Sequence, residues 1–409
     1  MAGNRMDVKE RSWVMYDVAN SAFVMFSTTV VPIYFTGLTT GSAVVEWGFA
    51  ETIAALIVAV LMPFLGSLAD YRGNKKKFLI GSVGTGVVAC AALGIPTEAL
   101  PFLIIYIIAA IGLNSSTVFY DAFLVDATKS EKYDSVSAKG YAWGYVGSLI
   151  PFALCLGLIY GLGDGQASAL GTQLSFPVVA IWWAVFTIPL VRNVHQVNCK
   201  DKEEHALRKS FIGLGHTVKM IVKNKKLLLF MIAFFFYIDG VHTIIKMATV
   251  FGTDLGIDSM QLIAALVVTQ LVAFPAALTF GKLAKTVGTR KMLIVGVIAY
   301  TLITLYAAFF LVSEVEFWVL AICVGLFQGG IQALSRSYFG SLIPKNNANE
   351  YFGFFDIFGK YAAVLGTALM SGFTLLTGNA NLGILSITGL FIVGLVFLLL
   401  MPKDEDPER

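Results

Sequence analysis

The chain has 409 residues, 57% of them hydrophobic and only 13% charged, with a mean hydropathy of +0.77. A soluble domain carries about 25% charged residues, and a soluble fold of this size has nowhere to hide so much apolar surface. Composition therefore excludes soluble enzymes and nucleic-acid binders and predicts an integral membrane protein; the net charge of +3 excludes little by itself.

The chain opens on "MAGNRMDVKERSW", which is charged, and the apolar run behind it contains Asp17 and Asn20, unlike a cleavable signal peptide. Apolar stretches of spanning length then recur at 12–36, 44–69, 77–95, 101–126, 140–161, 172–192, 227–251, 259–283, 291–312, 316–340, 351–376 and 382–401. Twelve transmembrane helices are expected. The one long polar connection is 193–226, whose second half sets Leu207, Phe211, Leu214, Val218 and Ile221 at helical spacing, the pattern of an amphipathic helix on a membrane surface. All but three of the 29 lysines and arginines lie at the termini or in alternate connections; the exceptions, Lys246, Arg336 and Lys360, fall within expected spans. The positive-inside rule then puts both termini and the central loop in the cytoplasm of a cell (inner) membrane protein.

The second span ends on "GSLADYRGNKK", from Gly66, and the eighth on "GKLAKTVGTRK", from Gly281. Gly, Leu, Ala, Gly and Lys recur, Lys75 becomes Arg290, and Asp70 becomes Lys285. Spans four and ten share Gly112-Leu113 and Gly325-Leu326, and spans one and seven share Asp17-x-x-Asn20-Ser21 and Asp239-x-x-His242-Thr243. The chain is thus expected to comprise two six-helix halves of like orientation, 1–192 and 227–409, joined by 193–226.

"GSLADYRGNKK" resembles the loop motif G-x-L-A-D-R-x-G-R-R of the major facilitator superfamily. The phrases "WVMYDVANSAF", "FYDAFL", "SAKGYAWGYVGS", "FFFYIDGVHTI" and "GLFQGGIQALSRS" further resemble the fungal autophagy-related vacuolar amino-acid effluxers and their bacterial relatives. The resemblance implies an all-α major facilitator fold of two six-helix bundles, alternating access and secondary transport, with amino acids as the substrate class of the fungal members. Two departures stand out: Tyr71 replaces the arginine expected after Asp70, and Asp121 stands where the fourth-span phrase leads one to expect asparagine.

A charge at the bilayer centre costs about 2.5–3.5 kcal/mol on insertion scales, so such a residue needs a partner or a wet cavity. On span seven Asp239, His242, Thr243 and Lys246 share one helical face; on span one Asp17, Asn20, Ser21 and Thr28 do. Asp17 and Asp239 are candidates to bind a substrate ammonium or a proton, with Asn20 orienting the ligand. Asp17 also reads as a cytoplasmic-end residue, His242 as a proton relay or an interhelical hydrogen bonder, and Lys246 as a snorkelling cation. Gln328 and Gln332 mark an inward face of span ten, and Lys360, deep in span eleven, needs an acid or an anionic substrate nearby. Arg336 and Asp121 are expected to form a gating or structural ion pair. Asp70 and Arg72 belong to the same gating class: Asp70 can bind the positive end of a neighbouring helix, which the resemblance identifies as that of span eleven. Lys75 to Lys77 read as positive-inside residues alone.

No Walker loop, nucleophile elbow, dinucleotide fingerprint or zinc motif occurs in a suitable context, and the cysteines and histidines are scattered. No enzymatic activity, cofactor or metal is expected. The expected function is secondary transport of a small polar solute, plausibly a zwitterion with proton coupling, by a monomer whose other contacts are membrane lipids; the alternative is a membrane sensor or scaffold that moves no solute.

Overall fold

A computed structural model of the chain describes residues 5–163, 166–201, 206–254, 256–361 and 364–402. The described residues are almost entirely helical: α1 (Val8–Thr36), α2 (Ala43–Ala69), α3 (Lys75–Ala92), α4 (Ala99–Ala122), α5 (Leu124–Ala127), α6 (Tyr133–Gly161), α7 (Ala169–Asn193), α8 (Ala206–Lys223), α9 (Lys225–Asp254), α10 (Ser259–Val287), α11 (Thr289–Phe310), α12 (Glu314–Leu342), α13 (Ala348–Tyr361), α14 (Val364–Thr377) and α15 (Ala380–Leu400). Extended pairing among them is confined to one parallel bridge, Tyr71 with Lys200. Ten helical segments among the described residues are long and apolar enough to cross a membrane. The other two expected spans are α3, which is short and opens on three lysines, and the eleventh, whose described residues are helical as α13 and α14. The described residues of the expected spans are helical because in lipid a backbone must satisfy its own polar groups.

Contacts divide the chain into one unit of Met1–Ser210 with Pro344–Phe354 and another of Phe211–Ile343 with Phe355–Arg409. In the first, α1 packs on α6 and α7, α2 on α4, and α3 on α4 and α7. In the second, α9 packs on α15, α10 on α12, and α11 on α12 and α15. Four of these five pairings recur between equivalent helices, as the internal repeat requires. Close packing uses missing side chains: a Cβ on Gly112 of α4 would lie 2.5 Å from the backbone of Gly86 on α3.

The division differs from the expected 1–192, 193–226 and 227–409. Residues 194–201 are part of the first unit because hydrogen bonds tie them down, as described below, and the start of the eleventh span joins that unit too. The amphipathic helix forms as α8; Thr217 and Ile221 are buried while Val218, expected on its apolar face, is exposed. The side chains of Leu207 and Phe211 lie outside the described residues.

Candidate functional site

In the first unit, α1 carries Asp17 and Asn20, both buried. Trp13 stacks on Tyr120 of α4 with centroids 4.5 Å apart and donates from Nε1 to the Tyr120 carbonyl at 3.0 Å. Tyr16 packs on the same ring, and Phe23 stacks on Trp183 of α7. Trp182 donates to the carbonyl of Val18 at 3.1 Å. These aromatic clamps fix the α1 face that bears Asp17 and Asn20. Sequence reasoning passed over them, because aromatic residues in an apolar run give no signal of where they point. Asp121 ends α4, half-buried, next to the stacked Tyr120.

In the second unit, Asp239 on α9 is fully buried. Its two carboxylate oxygens accept the Gly366 N–H at 2.9 and 3.0 Å, and Oδ1 also faces the Thr243 hydroxyl at 3.4 Å. Asp239 on α9 is thus held against the backbone of the eleventh span at Gly366. Position 366 must be glycine for this approach, since a Cβ there would lie 2.8 Å from Asp239 Oδ1. His242 is half-buried one turn along α9, and Lys246 is exposed. Gln328 is buried and Gln332 half-buried on α12, and neither amide has a hydrogen-bond partner among the described residues. Arg336 is buried on the same helix, next to Ser335, whose hydroxyl bonds to Tyr237 at 2.6 Å. The Lys360 side chain lies outside the described residues.

The phrase from Gly66 to Lys76 builds a third assembly, within the first unit. Asp70 is fully buried; Oδ1 accepts from the Asn349 backbone N–H at 2.9 Å and side-chain amide at 2.7 Å, and Oδ2 from the Glu350 N–H at 3.1 Å. These donors open α13, so the acid sits at a helix N-terminus as expected. Burial pushes its carboxyl from 3.8 up to about 7, although Lys75, Lys200 and the Asn349 donors pull it down. Asn349 Oδ1 is buried without a partner among the described residues, and a protonated Asp70 facing the rotated amide would supply one.

Residues 194–201 strap this contact. Lys200 N donates to the Asp70 carbonyl at 2.8 Å, Arg72 N to the Lys200 carbonyl at 2.9 Å, and Lys200 Nζ pairs with Glu350 at 3.1 Å. Gln196 donates to the carbonyls of Ala69 and Asp70 and accepts from Gly73 N. Among the described residues the Arg72 side chain reaches Asp201 alone, in an exposed pair 3.1 Å long, a kind worth little.

Lys75 corrects the sequence reading. It is fully buried, pairs with Asp126 at 2.6 Å and donates to the Ala122 carbonyl at 3.3 Å. Asp126 also accepts from Val197 N, Asn198 N and the Asn198 amide. Positive-inside bias does not bury a lysine; an ion pair and a helix C-terminus do. The matching Arg290 likewise donates to the carbonyls of Leu398, Leu399 and Pro402 at the end of α15. The repeated basic position therefore caps a helix C-terminus in each unit.

Residues 48–406 match the family model described as "Vacuole effluxer Atg22 like". The chain belongs to the Atg22-like family. It is 43% identical over 417 residues to an uncharacterized MFS-type transporter, YxiO, of Bacillus subtilis (strain 168), covering 99% of this chain and 97% of that one. Autophagy-related protein 22 of Cryptococcus neoformans var. neoformans serotype D (strain JEC21) is 26% identical over 279 residues, covering 63% of this chain and 48% of the fungal one. The fold is similar to that of the major facilitator transporter FucP in the outward conformation, with a TM-score of 0.75 at 13% identity over 96% of this chain and 98% of that one. It is also similar to the proton:xylose symporter XylE, with a TM-score of 0.69 at 12% identity, covering 97% and 94%. This Atg22-like chain is thus a multi-pass transporter of the major facilitator type.

Proposed function

We propose that the chain is a secondary active transporter that moves a neutral amino acid or similar zwitterion by alternating access, with proton coupling. The observation that carries this reading is the buried Asp239 carboxylate on the Gly366 N–H of the eleventh span. An ionisable residue inside a membrane span marks a substrate or proton site. An ammonium or a proton arriving at Asp239 weakens its hold on Gly366 N and frees that donor for a substrate carboxylate. One exchange then recognises both ends of a zwitterion. His242, Gln328 and Gln332 supply further polar contacts, and Asp17 and Asn20 their counterparts on α1; Lys360 belongs to the same proposal. Asp70, Arg72, Asp121 and Arg336 act in gating, with the termini cytoplasmic and the protein working as a monomer in a bacterial cell membrane.

The test is flux in proteoliposomes across a pH gradient, with a panel of zwitterions, sugars and dianions. Asp239→Asn is expected to keep the fold and lower gradient-driven flux more than tenfold. Wild-type flux in that variant removes Asp239 from coupling, and transport of sugars or dianions alone overturns the substrate class.

A further inference from the structure

An open groove of about 670 Å³ lies in the first unit, between α2 and α3 and floored by α4. Helices α2 and α3 each pack on α4 but touch each other only lightly, and the groove is that gap. Its volume is within the range of small-ligand sites, about 300–1,000 Å³. Leu61 and Leu65 form one wall, Phe78 the other, and Asn74 and Lys77 the rim.

The three lysines that open α3 differ in their partners. Lys75 is paired with Asp126 and the Lys76 ammonium is 3.0 Å from His195 Nδ1, whereas Lys77, exposed at the rim, has no partner among the described residues. Deeper in, Ser82 and Ser115 line the groove, and neither hydroxyl makes a hydrogen bond among the described residues, although Ser115 is only 4% exposed. Ser82 follows Lys77 by five residues, about 7.5 Å along the helix. Beyond it the groove continues to Thr85, ten residues and about 15 Å from the start of α3. That depth is half of a hydrocarbon core about 30 Å thick, the share of one leaflet.

We propose that this groove binds one anionic phospholipid from the leaflet on the basic side of the membrane. The phosphate sits on the Lys77 ammonium, the ester oxygens accept from the Ser82 and Ser115 hydroxyls, and an acyl chain fills the apolar wall space between α2 and α3. A cation without a partner selects a negative headgroup, and hydroxyl donors with free protons match ester carbonyls. A free polar solute leaves the leucine and phenylalanine walls uncovered.

Native mass spectrometry of the purified full chain, delipidated and then titrated with phosphatidylglycerol or phosphatidylcholine of the same chains, tests this. One phosphatidylglycerol is expected to remain bound at concentrations where phosphatidylcholine does not. Lys77→Gln is expected to lower its retention at least fivefold, and Lys76→Gln to leave it unchanged. Gly81→Leu fills the groove at a position where an added Cβ meets nothing within 4 Å, and is expected to keep the wild-type unfolding temperature and to abolish retention. Equal retention of both lipids, or equal losses from Lys76→Gln and Lys77→Gln, shows nonspecific surface charge and overturns the site. Retention that survives both Lys77→Gln and Gly81→Leu overturns it as well.

Discussion

Lys75, Lys76 and Lys77 are identical in the sequence and have three different environments in the structure. The first is buried in an ion pair, the second meets a histidine, and the third is exposed at the mouth of a groove. Asp70 was easier to foresee, because an acid at the end of a span needs a positive partner and few kinds exist. Its energetics depend on burial, which sequence does not show. Since its carboxyl is raised from 3.8 to about 7, closing the contact with α13 takes up a proton. The contribution is full below 3.8 and is lost as pH rises through about 7. Spin labels at the exposed positions Arg72 and Lys345, in a background without other accessible thiols, read the contact directly. The short-distance population is expected to be larger near about pH 6 than near about pH 8, and independent of pH in Asp70→Asn. A population that grows with pH would mean that the helix dipole, not desolvation, governs this acid.

Among the elements, the strap 194–201 has the most consequence for stability. The sequence shows 193–226 as one long polar connection, and within it Lys200, Asn198 and Gln196 hydrogen-bond groups that the α2–α3 turn and Asp126 leave open. Removing one member of a buried ion pair costs about 3–5 kcal/mol, whereas replacing both with apolar groups is often neutral. Asp126→Ala is thus expected to lower the thermal unfolding temperature of purified protein strongly and to raise hydrogen exchange at 197 and 198. Lys75→Met with Asp126→Leu is expected to recover most of the temperature but not the exchange protection, because the strap still lacks its acceptor. Wild-type unfolding of Asp126→Ala refutes a structural role for the pair.

For the whole molecule, the two copies of the basic phrase share one role and differ in another. Lys75 and Arg290 both bind the carbonyl end of a helix in their own unit. Asp70 binds the start of α13, while Lys285 is exposed and has no ion-pair partner among the described residues. The eleventh span is divided between the two units, and its start lies in the unit that contains Asp70. Asp70→Asn is expected to change the side-specific labelling of single cysteines in the spans, and Lys285→Asn to leave it near wild type. Equal changes from both variants remove the asymmetry.

Hydropathy, charge placement and the repeat were enough to read twelve helical spans, because the bilayer imposes length and internal hydrogen bonding on any chain that crosses it. The acids Asp70 and Asp239 were legible for the same reason: charge in an apolar run is costly and marks a partner. The partners themselves were not legible. Asp239 meets Gly366 and Asp70 meets Asn349 across 127 and 279 residues, and a backbone N–H carries no mark in the sequence to say that it is free. Which backbone N–H meets Asp239, which lysine is buried and which strap closes over Asp70 depend on how helices pack. Only the tertiary structure decided them, since a donor is left over only after the neighbouring helix has been placed.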